Sequence, residues 1–351
     1  MVLQRHLTKH YHPAMRVISL FSGAGGLDRG FEKAGFDIVF ANEYDKTIWD
    51  TYRANFPHSH LDTRSITNIP NKDLPEADGL IGGPPCQSWS EAGAHRGITD
   101  ERGQLFFEYI RVLKHVQPKF FLAENVSGIL SSTHSAAFKN IVDRFSDADY
   151  NVKFQLLNAA DYGVPQDRHR VIVVGIRKDL KLNFEFPPVL NSKIDLRMAI
   201  GDLGKPNATQ SLSTTSPHSK FKNHEYLVGS FSSMFMSRNR VRKWNQQSFT
   251  IQAGARHAPI HPSAPVMQKI KADKFIFAPD CEQKYRRMSV RECARIQTFP
   301  DSHQFVYTRI IDGYKMIGNA VPVNFAFHLA KQIKRALDGK LLKAQHEALS
   351  I

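Results

Sequence analysis

From Arg16 onward, short apolar and β-branched runs alternate with stretches of helical period. Strands are expected at Val17 to Phe21, Ile38 to Asn42, Gly79 to Ile81, Phe120 to Glu124, Val152 to Leu157 and Val171 to Ile176, with helices between them such as Gln104 to His115 and Ser135 to Phe145. This alternation predicts a doubly wound, Rossmann-like α/β sheet. It stops after Arg177. From Phe186 to Tyr285 the chain is rich in Pro, Ser, Asn and His with little helical period, which predicts a smaller, irregular domain. Helical signals return at Ser289, where Ser289-Val-Arg-Glu292 forms a capping box and Pro300 a stop. The run Val323 to Leu337 reads as a helix that rejoins the sheet. The expected division is a leader over 1–14, a sheet domain over 15–185, an irregular domain over 186–288 and a returning segment over 289–351.

Charge changes the picture more than size does. A chain of 351 residues exceeds the roughly 250 to 300 at which single cores stop growing, so two domains are expected. The net charge of +14 and pI near 9.6 call for a polyanionic partner. Nucleic acid ranks ahead of membrane, because no basic amphipathic helix, long apolar run or signal peptide stands out. Cys86, Cys281 and Cys293 lie far apart with no C-x-x-C spacing, so neither a disulfide framework nor a zinc site is indicated and a cytoplasmic location fits. The leader, with His6, His10 and His12, is assigned no function.

Candidate chemistry gathers at strand ends. The first strand runs into Ser22-Gly-Ala-Gly-Gly26, which places Gly23, Gly25 and Gly26 where backbone must pass close to a ligand at the carboxyl edge of the sheet. The second ends at Glu43, which can accept hydrogen bonds from ribose hydroxyls. The dinucleotide fingerprint needs glycine where Asp28 stands, which disfavours a nicotinamide cofactor. Cys86, in Ile81-Gly-Gly-Pro-Pro-Cys-Gln-Ser-Trp-Ser90, is placed for nucleophilic attack from a rigid loop. Taken alone, a free cysteine is more often a small buried apolar side chain, and the glycines and prolines around this one make core packing less favoured. Glu124 ends the strand Phe120-Phe-Leu-Ala-Glu124, and Arg168 and Arg170 alternate in Gln166-Asp-Arg-His-Arg170, which puts both guanidinium groups on one face. Between Ser216 and Ile260 seven Lys or Arg stand against the single acid Glu225, and Arg238, Arg240 and Arg242 share a face if that segment is extended. Arginine can read guanine with bidentate hydrogen bonds. A solvated basic strand would carry the same charges.

In their order, Phe21 to Gly26, Ala41-Asn-Glu-Tyr-Asp45, the Pro-Pro-Cys86 loop, Glu124-Asn-Val126, Gln166 to Arg170 and Gly313-Tyr-Lys-Met-Ile-Gly-Asn-Ala-Val-Pro322 resemble the motifs of the DNA (cytosine-5)-methyltransferases. The resemblance implies methyl transfer from S-adenosylmethionine to carbon 5 of a cytosine in duplex DNA, flipped out of the helix. Cys86 would add to carbon 6, Glu124 would act at ring nitrogen 3, and Arg168 and Arg170 would hold the base carbonyl and a nearby phosphate. Phe21, Glu43, Pro84, Leu105 and Asn319 would line the cofactor pocket with the glycines. The segment Gln87 to Gln104, with Gly93, Gly97, Gly103 and Arg96, suits a loop that closes over DNA. Asn223-His-Glu-Tyr226, Phe235 to Trp244, His261 to Met267 and Tyr285 to Asp301 are further similar to the HaeIII-type branch, which modifies the inner cytosine of GGCC. By position Arg238, Arg240 and Arg256 match its base-contacting arginines, with Arg242 as a further DNA contact.

Two departures stand out. Ser65 occupies the place of an Asp in the third cofactor motif, where Asp62 could substitute, and Gln252-Ala-Gly-Ala-Arg-His-Ala258 differs from that branch on both sides of Arg256. A monomer of bacterial or phage origin is expected, with a cognate restriction endonuclease acting separately. The competing readings are an RNA or tRNA cytosine-5 methyltransferase and a catalytically silent DNA-binding protein of the same fold. The absence of a Cys-Phe-Thr signature counts against the first, and the intact Cys86, Glu124 and Arg168 against the second.

Overall fold

A computed structural model describes residues 14–85, 101–214 and 220–348, except for the side chains of 101–104 and 340–348. Its frame is a seven-stranded sheet of order β3-β2-β1-β4-β5-β7-β6. The strands are β1 (Met15–Leu20), β2 (Phe36–Asn42), β3 (His60–Asp62), β4 (Gly79–Gly82), β5 (Phe120–Val126), β6 (Tyr150–Asn158) and β7 (His169–Arg177). The first five are parallel, whereas β7 is antiparallel to both β5 and β6. All six expected strands form. The short β3 and the reversed direction of β7 are additions that local pattern does not carry.

The period of two along each strand divides the interior. Ile18, Leu20, Leu80, Phe121, Val171 and Val173 face one way, against helices α3 (Glu101–Val116) and α4 (Ser135–Ser146). Val17, Ile38, Ile81, Leu122, Ile172 and Val174 face the other way, against α1 (Gly26–Lys33) and the C-terminal helix α8 (Val323–Ala348). A side chain at Gly30 would lie 2.4 Å from Ala326 Cβ, so glycine is what lets α1 and α8 pack backbone to backbone. The chain's end therefore completes the layer that its beginning starts. Between α1 and β3 lies α2 (Trp49–Asn55).

Between β7 and Ser289 the described helices and strands are short, among them α5 (Leu196–Ile200) and the strand pairs β8 (Asn207–Thr209) with β9 (Glu225–Leu227) and β10 (Gln268–Lys271) with β11 (Lys274–Ile276). A small core of Phe235, Val241, Ile260, Met267 and Tyr285 serves this part. The expected capping box is present: Ser289 Oγ accepts from Glu292 N at 3.0 Å, and Glu292 Oε2 accepts from Ser289 N at 2.7 Å. It opens α6 (Val290–Ile296), which ends before Pro300 because Thr298 turns left-handed at φ 60°. Helix α7 (Ile310–Asn319) then leads to α8. Among the described residues no helix is long and apolar enough to cross a membrane, and no cluster of His, Cys, Asp or Glu could hold a metal.

Candidate active site

The carboxyl ends of β1, β2, β4 and β5 open onto one cavity of about 490 Å³. On one side β1 leaves the sheet at Phe21, held left-handed at φ 55°, an uncommon conformation for a side chain of this size that aims the following loop across the strand ends. Gly23 continues left-handed, with open space where a Cβ would stand. Glu43, at the end of β2, accepts from Gly23 N at 2.9 Å through Oε2 and from Asp45 N at 2.7 Å through Oε1. Two backbone donors thus fix the carboxylate and leave lone pairs on each oxygen for a ligand. Burial raises its pKa, partly offset by those amides. Asn319 forms the opposite wall at the end of α7.

Phe21, Gly23, Gly26, Glu43, Pro84 and Asn319 line this cavity as expected. Two other glycine-loop and helix residues are placed elsewhere. A Cβ on Gly25 would fall 2.1 Å from the Phe56 ring, so that glycine serves packing beneath the loop, and Leu105 packs against the core under α3. Ser65 bonds Thr67, and the Asp62 carboxylate is taken by Arg64; neither is among the lining residues. Asp28, where a third glycine was lacking, is fully buried and accepts from Ser19 Oγ at 2.6 Å and Tyr52 OH at 2.7 Å, tying α1 to β1 and α2. Burial raises its pKa to about 6 against the pull of those two donors.

At the cavity's other end, Gly83-Pro84-Pro85 leaves β4 and Asn125 Nδ2 donates to Pro84 O at 3.0 Å. Asn125 was not singled out in the sequence, although it follows Glu124 directly. Cys86 and the expected closing segment up to residue 100 lie outside the described residues. In the antiparallel register Glu124 stands opposite Ile172 and Val126 opposite Arg170, so Glu124 and Arg170 are diagonal neighbours on one face. They form an ion pair, Arg170 Nε to Glu124 Oε1 at 2.7 Å, with both side chains largely buried. Arg168 is placed differently from its neighbour. It is 1 % exposed and spends its terminal nitrogens on backbone: Nη1 donates to Ile251 O at 3.1 Å, and Nη2 to Gly318 O and Ala320 O at 3.0 Å each. Burial, and then the charge of Arg170, lowers its pKa to about 9, which leaves it cationic at neutral pH.

A second recess of about 180 Å³ is lined by Arg238, Arg240, Phe249, Gln252 and His257 among others. Arg238 projects freely, whereas Arg240 stacks 4.8 Å from Phe235 and donates to Phe235 O and Met234 O. The expected shared face of three arginines is not formed, because the segment is irregular and Arg242 turns aside to pair with Asp167 at 3.1 Å and cover Phe249 at 4.1 Å. Arg256 is exposed on the turn Ala255–His257. Gln252 and His257 carry no local motif, and only their place beside Arg238 marks them.

The family model for C-5 cytosine-specific DNA methylases matches residues 15–335, and the chain belongs to that family. It is 56 % identical over 332 residues to the Type II methyltransferase M.FnuDI of Fusobacterium nucleatum, covering 93 % of this chain and 96 % of that one. M.NgoPII of Neisseria gonorrhoeae is 55 % identical over 93 % of this chain and 97 % of its own. A crystal structure of a protein encoded within an Escherichia coli prophage superposes with a TM-score of 0.71 at 26 % identity, over 93 % of this chain and all of that one. The enzyme is a cytosine-5 DNA methyltransferase of the Type II restriction-modification kind, and its methyl donor is S-adenosylmethionine. The lining is chemically compatible with that donor: open backbone at Gly23, a carboxylate at Glu43 held by two amides with lone pairs to spare, and Phe21 and Asn319 beside them.

Proposed function

We propose that this enzyme methylates the inner cytosine of GGCC in duplex DNA, acting on a flipped base through a covalent Cys86 adduct. What carries the reading is the Glu124–Arg170 ion pair, set on the same cavity as Glu43 and Asn319 and beside the Pro84-Pro85 turn that leads into Cys86. Bound S-adenosylmethionine supplies an electrophilic methyl group. Cytosine carbon 5 is a poor nucleophile until a group adds at carbon 6. The Cys86 thiolate forms that C–S bond, while Glu124, carrying a proton, donates it to ring nitrogen 3 and is left as the carboxylate that Arg170 pairs. Arg170 orients Glu124 and offers its remaining donors to the base carbonyl or a phosphate. After methylation, loss of the carbon 5 proton to solvent lets the sulfur depart. Excluding water from this cavity strengthens each of these interactions.

Extrusion of the base costs a few kcal/mol, which contacts from the segment containing Arg238, Arg240, Arg242 and Arg256 offset. We assign that segment, within 186–288, to target recognition, 15–185 to catalysis and 289–351 to the return into the catalytic domain. The enzyme acts as a cytoplasmic monomer on one strand at a time, separately from any cognate endonuclease.

The test follows labelled methyl transfer to duplexes with GGCC, with GGCC already methylated at its inner cytosine, and with scrambled sequence, beside a tRNA. Incorporation into the unmethylated GGCC duplex alone supports the reading. Transfer to another duplex sequence removes the specificity and keeps the chemistry, and transfer to tRNA alone replaces the substrate. A denaturant-stable adduct with 5-fluorocytosine DNA that Cys86→Ala abolishes tests the covalent step.

A further inference from the structure

Ile251 lies just before Gln252 and the Arg256 turn, and both polar groups of its peptide backbone are held by side chains from one turn of the catalytic sheet. Gln166 Oε1 accepts from Ile251 N at 2.8 Å, and Arg168 Nη1 donates to Ile251 O at 3.1 Å. Each side chain also reaches the far end of α7, which carries Asn319 into the cofactor cavity. Arg168 Nη2 bonds the carbonyls on either side of Asn319. Gln166 Nε2 donates to Gln297 Oε1 at 2.9 Å, and Gln297 Nε2 donates in turn to Ile317 O at 2.8 Å and Ala320 O at 3.3 Å. Both glutamines are fully buried. A third observation concerns the backbone itself: a Cβ on Gly318 would lie 2.3 Å from Ala253 N and from Gln252 O, so the cofactor-side turn and the segment entering the recognition recess touch without an intervening side chain.

We propose that Gln166 and Gln297 are positioning residues that couple DNA binding to cofactor binding through this polar bridge. A buried side-chain amide with both its oxygen and its nitrogen engaged has one low-energy orientation, and moving either neighbour leaves a polar group unsatisfied. A shift of residues 251–253 on DNA is therefore passed to 317–320, and cofactor seated against Asn319 resists or favours the same shift. By linkage each ligand changes the other's affinity by one common factor. The inference rests on the reading that the segment from Arg238 to Arg256 meets DNA.

The experiment measures dissociation constants for S-adenosylhomocysteine, with and without saturating target duplex, in the full-length wild type, Gln166→Met and Gln297→Met. The wild type is expected to bind at least about fivefold tighter with DNA present. In the variants the enhancement falls below about twofold, while each ligand alone stays within about threefold of wild type. A wild type without enhancement, or variants that retain it, overturns the proposal. Because either variant could fail to fold, hydrogen exchange on the wild type supplies a second arm: S-adenosylhomocysteine alone should slow exchange in residues 248–256, and unchanged exchange there sinks the bridge. Loss of duplex affinity in Arg256→Ala reports on the underlying reading separately; if that affinity is unchanged while the enhancement is present, the recognition assignment fails and the bridge stands.

Discussion

The sheet and the segment that follows it solve the same problem with different materials. In the sheet, alternate residues such as Leu20 and Ile81 fill two apolar faces, and strands pair over up to nine residues. Between 186 and 288 the longest described strand has four residues, and there and in the turns around α6 backbone carbonyls are met by guanidinium groups. Arg287 donates to the carbonyls of Leu227, Gly229 and Ser230, and Arg291 to those of Lys222, Pro300 and His303. Arginine suits this use because its five donors diverge in a fixed plane. Part of the positive charge that signals a polyanion in the sequence is therefore structural mortar, and among the arginines from Arg238 to Arg256 those two stay exposed.

If chemistry belongs to the sheet edge and selectivity to the irregular segment, single substitutions should separate them. Glu124→Gln is expected to lower kcat by about 10² to 10⁴-fold while leaving the preference for target over scrambled duplex within twofold, measured as the ratio of kcat/KM values. Arg291→Met should cost about 3 kcal/mol in urea unfolding, since it strands buried carbonyls, and a loss below about 1 kcal/mol would refute the structural use of that arginine.

The acid limb of stability sharpens the contrast further. Burial holds His303 neutral down to about 3, with Arg29 and Arg291 adding to the effect, and lowers His261 to about 4. Below 6.5 the unfolded chain takes up protons that the folded chain refuses, so these two contributions are lost as pH falls from 6.5 toward 3. Asp28 runs the other way. Its folded pKa of about 6 exceeds the ordinary 3.8, so the unfolded chain ionises first and stability falls, by up to about 3 kcal/mol, as pH rises from 3.8 to 6. Urea midpoints between pH 4 and 6 should therefore rise more steeply with pH in Asp28→Asn and less steeply in His303→Phe. The smallest effect is expected for Arg238→Ala, about 1 to 3 kcal/mol of discrimination at one guanine with kcat for the best remaining site little changed. Uniform weakening on all sequences would make it a phosphate contact.

Legibility in the sequence follows the range of the forces involved. β1, β2, β5 and the capping box at Ser289 are specified by residues within a few positions of each other, and they form where the pattern puts them. The cavity residues Phe21, Glu43, Glu124 and Asn319 were legible because motifs fix them to strand and helix ends. What escaped is long-range. Nothing near Arg168 announces that its partners are Ile251, Gly318 and Ala320, 83 to 152 positions away. The same holds for Gln166, whose partner Gln297 is 131 positions on. The packing role of Gly25 depends on Phe56, and the direction of β7 on pairing with β5, neither of which periodicity encodes.

The packing of α8 on α1 also sets an order of events during synthesis. Until the segment from Val323 to Leu337 has been made, Val17, Ile38, Leu122 and Val174 lack half of their cover, and the turn at Ala320 that Arg168 and Gln297 grasp does not yet exist. A nascent chain halted near residue 300 would carry every motif up to the recognition segment and still present a bare apolar sheet face to its chaperones. Completion of this catalytic layer therefore waits on the helix that follows residue 322 rather than on translation of the catalytic motifs.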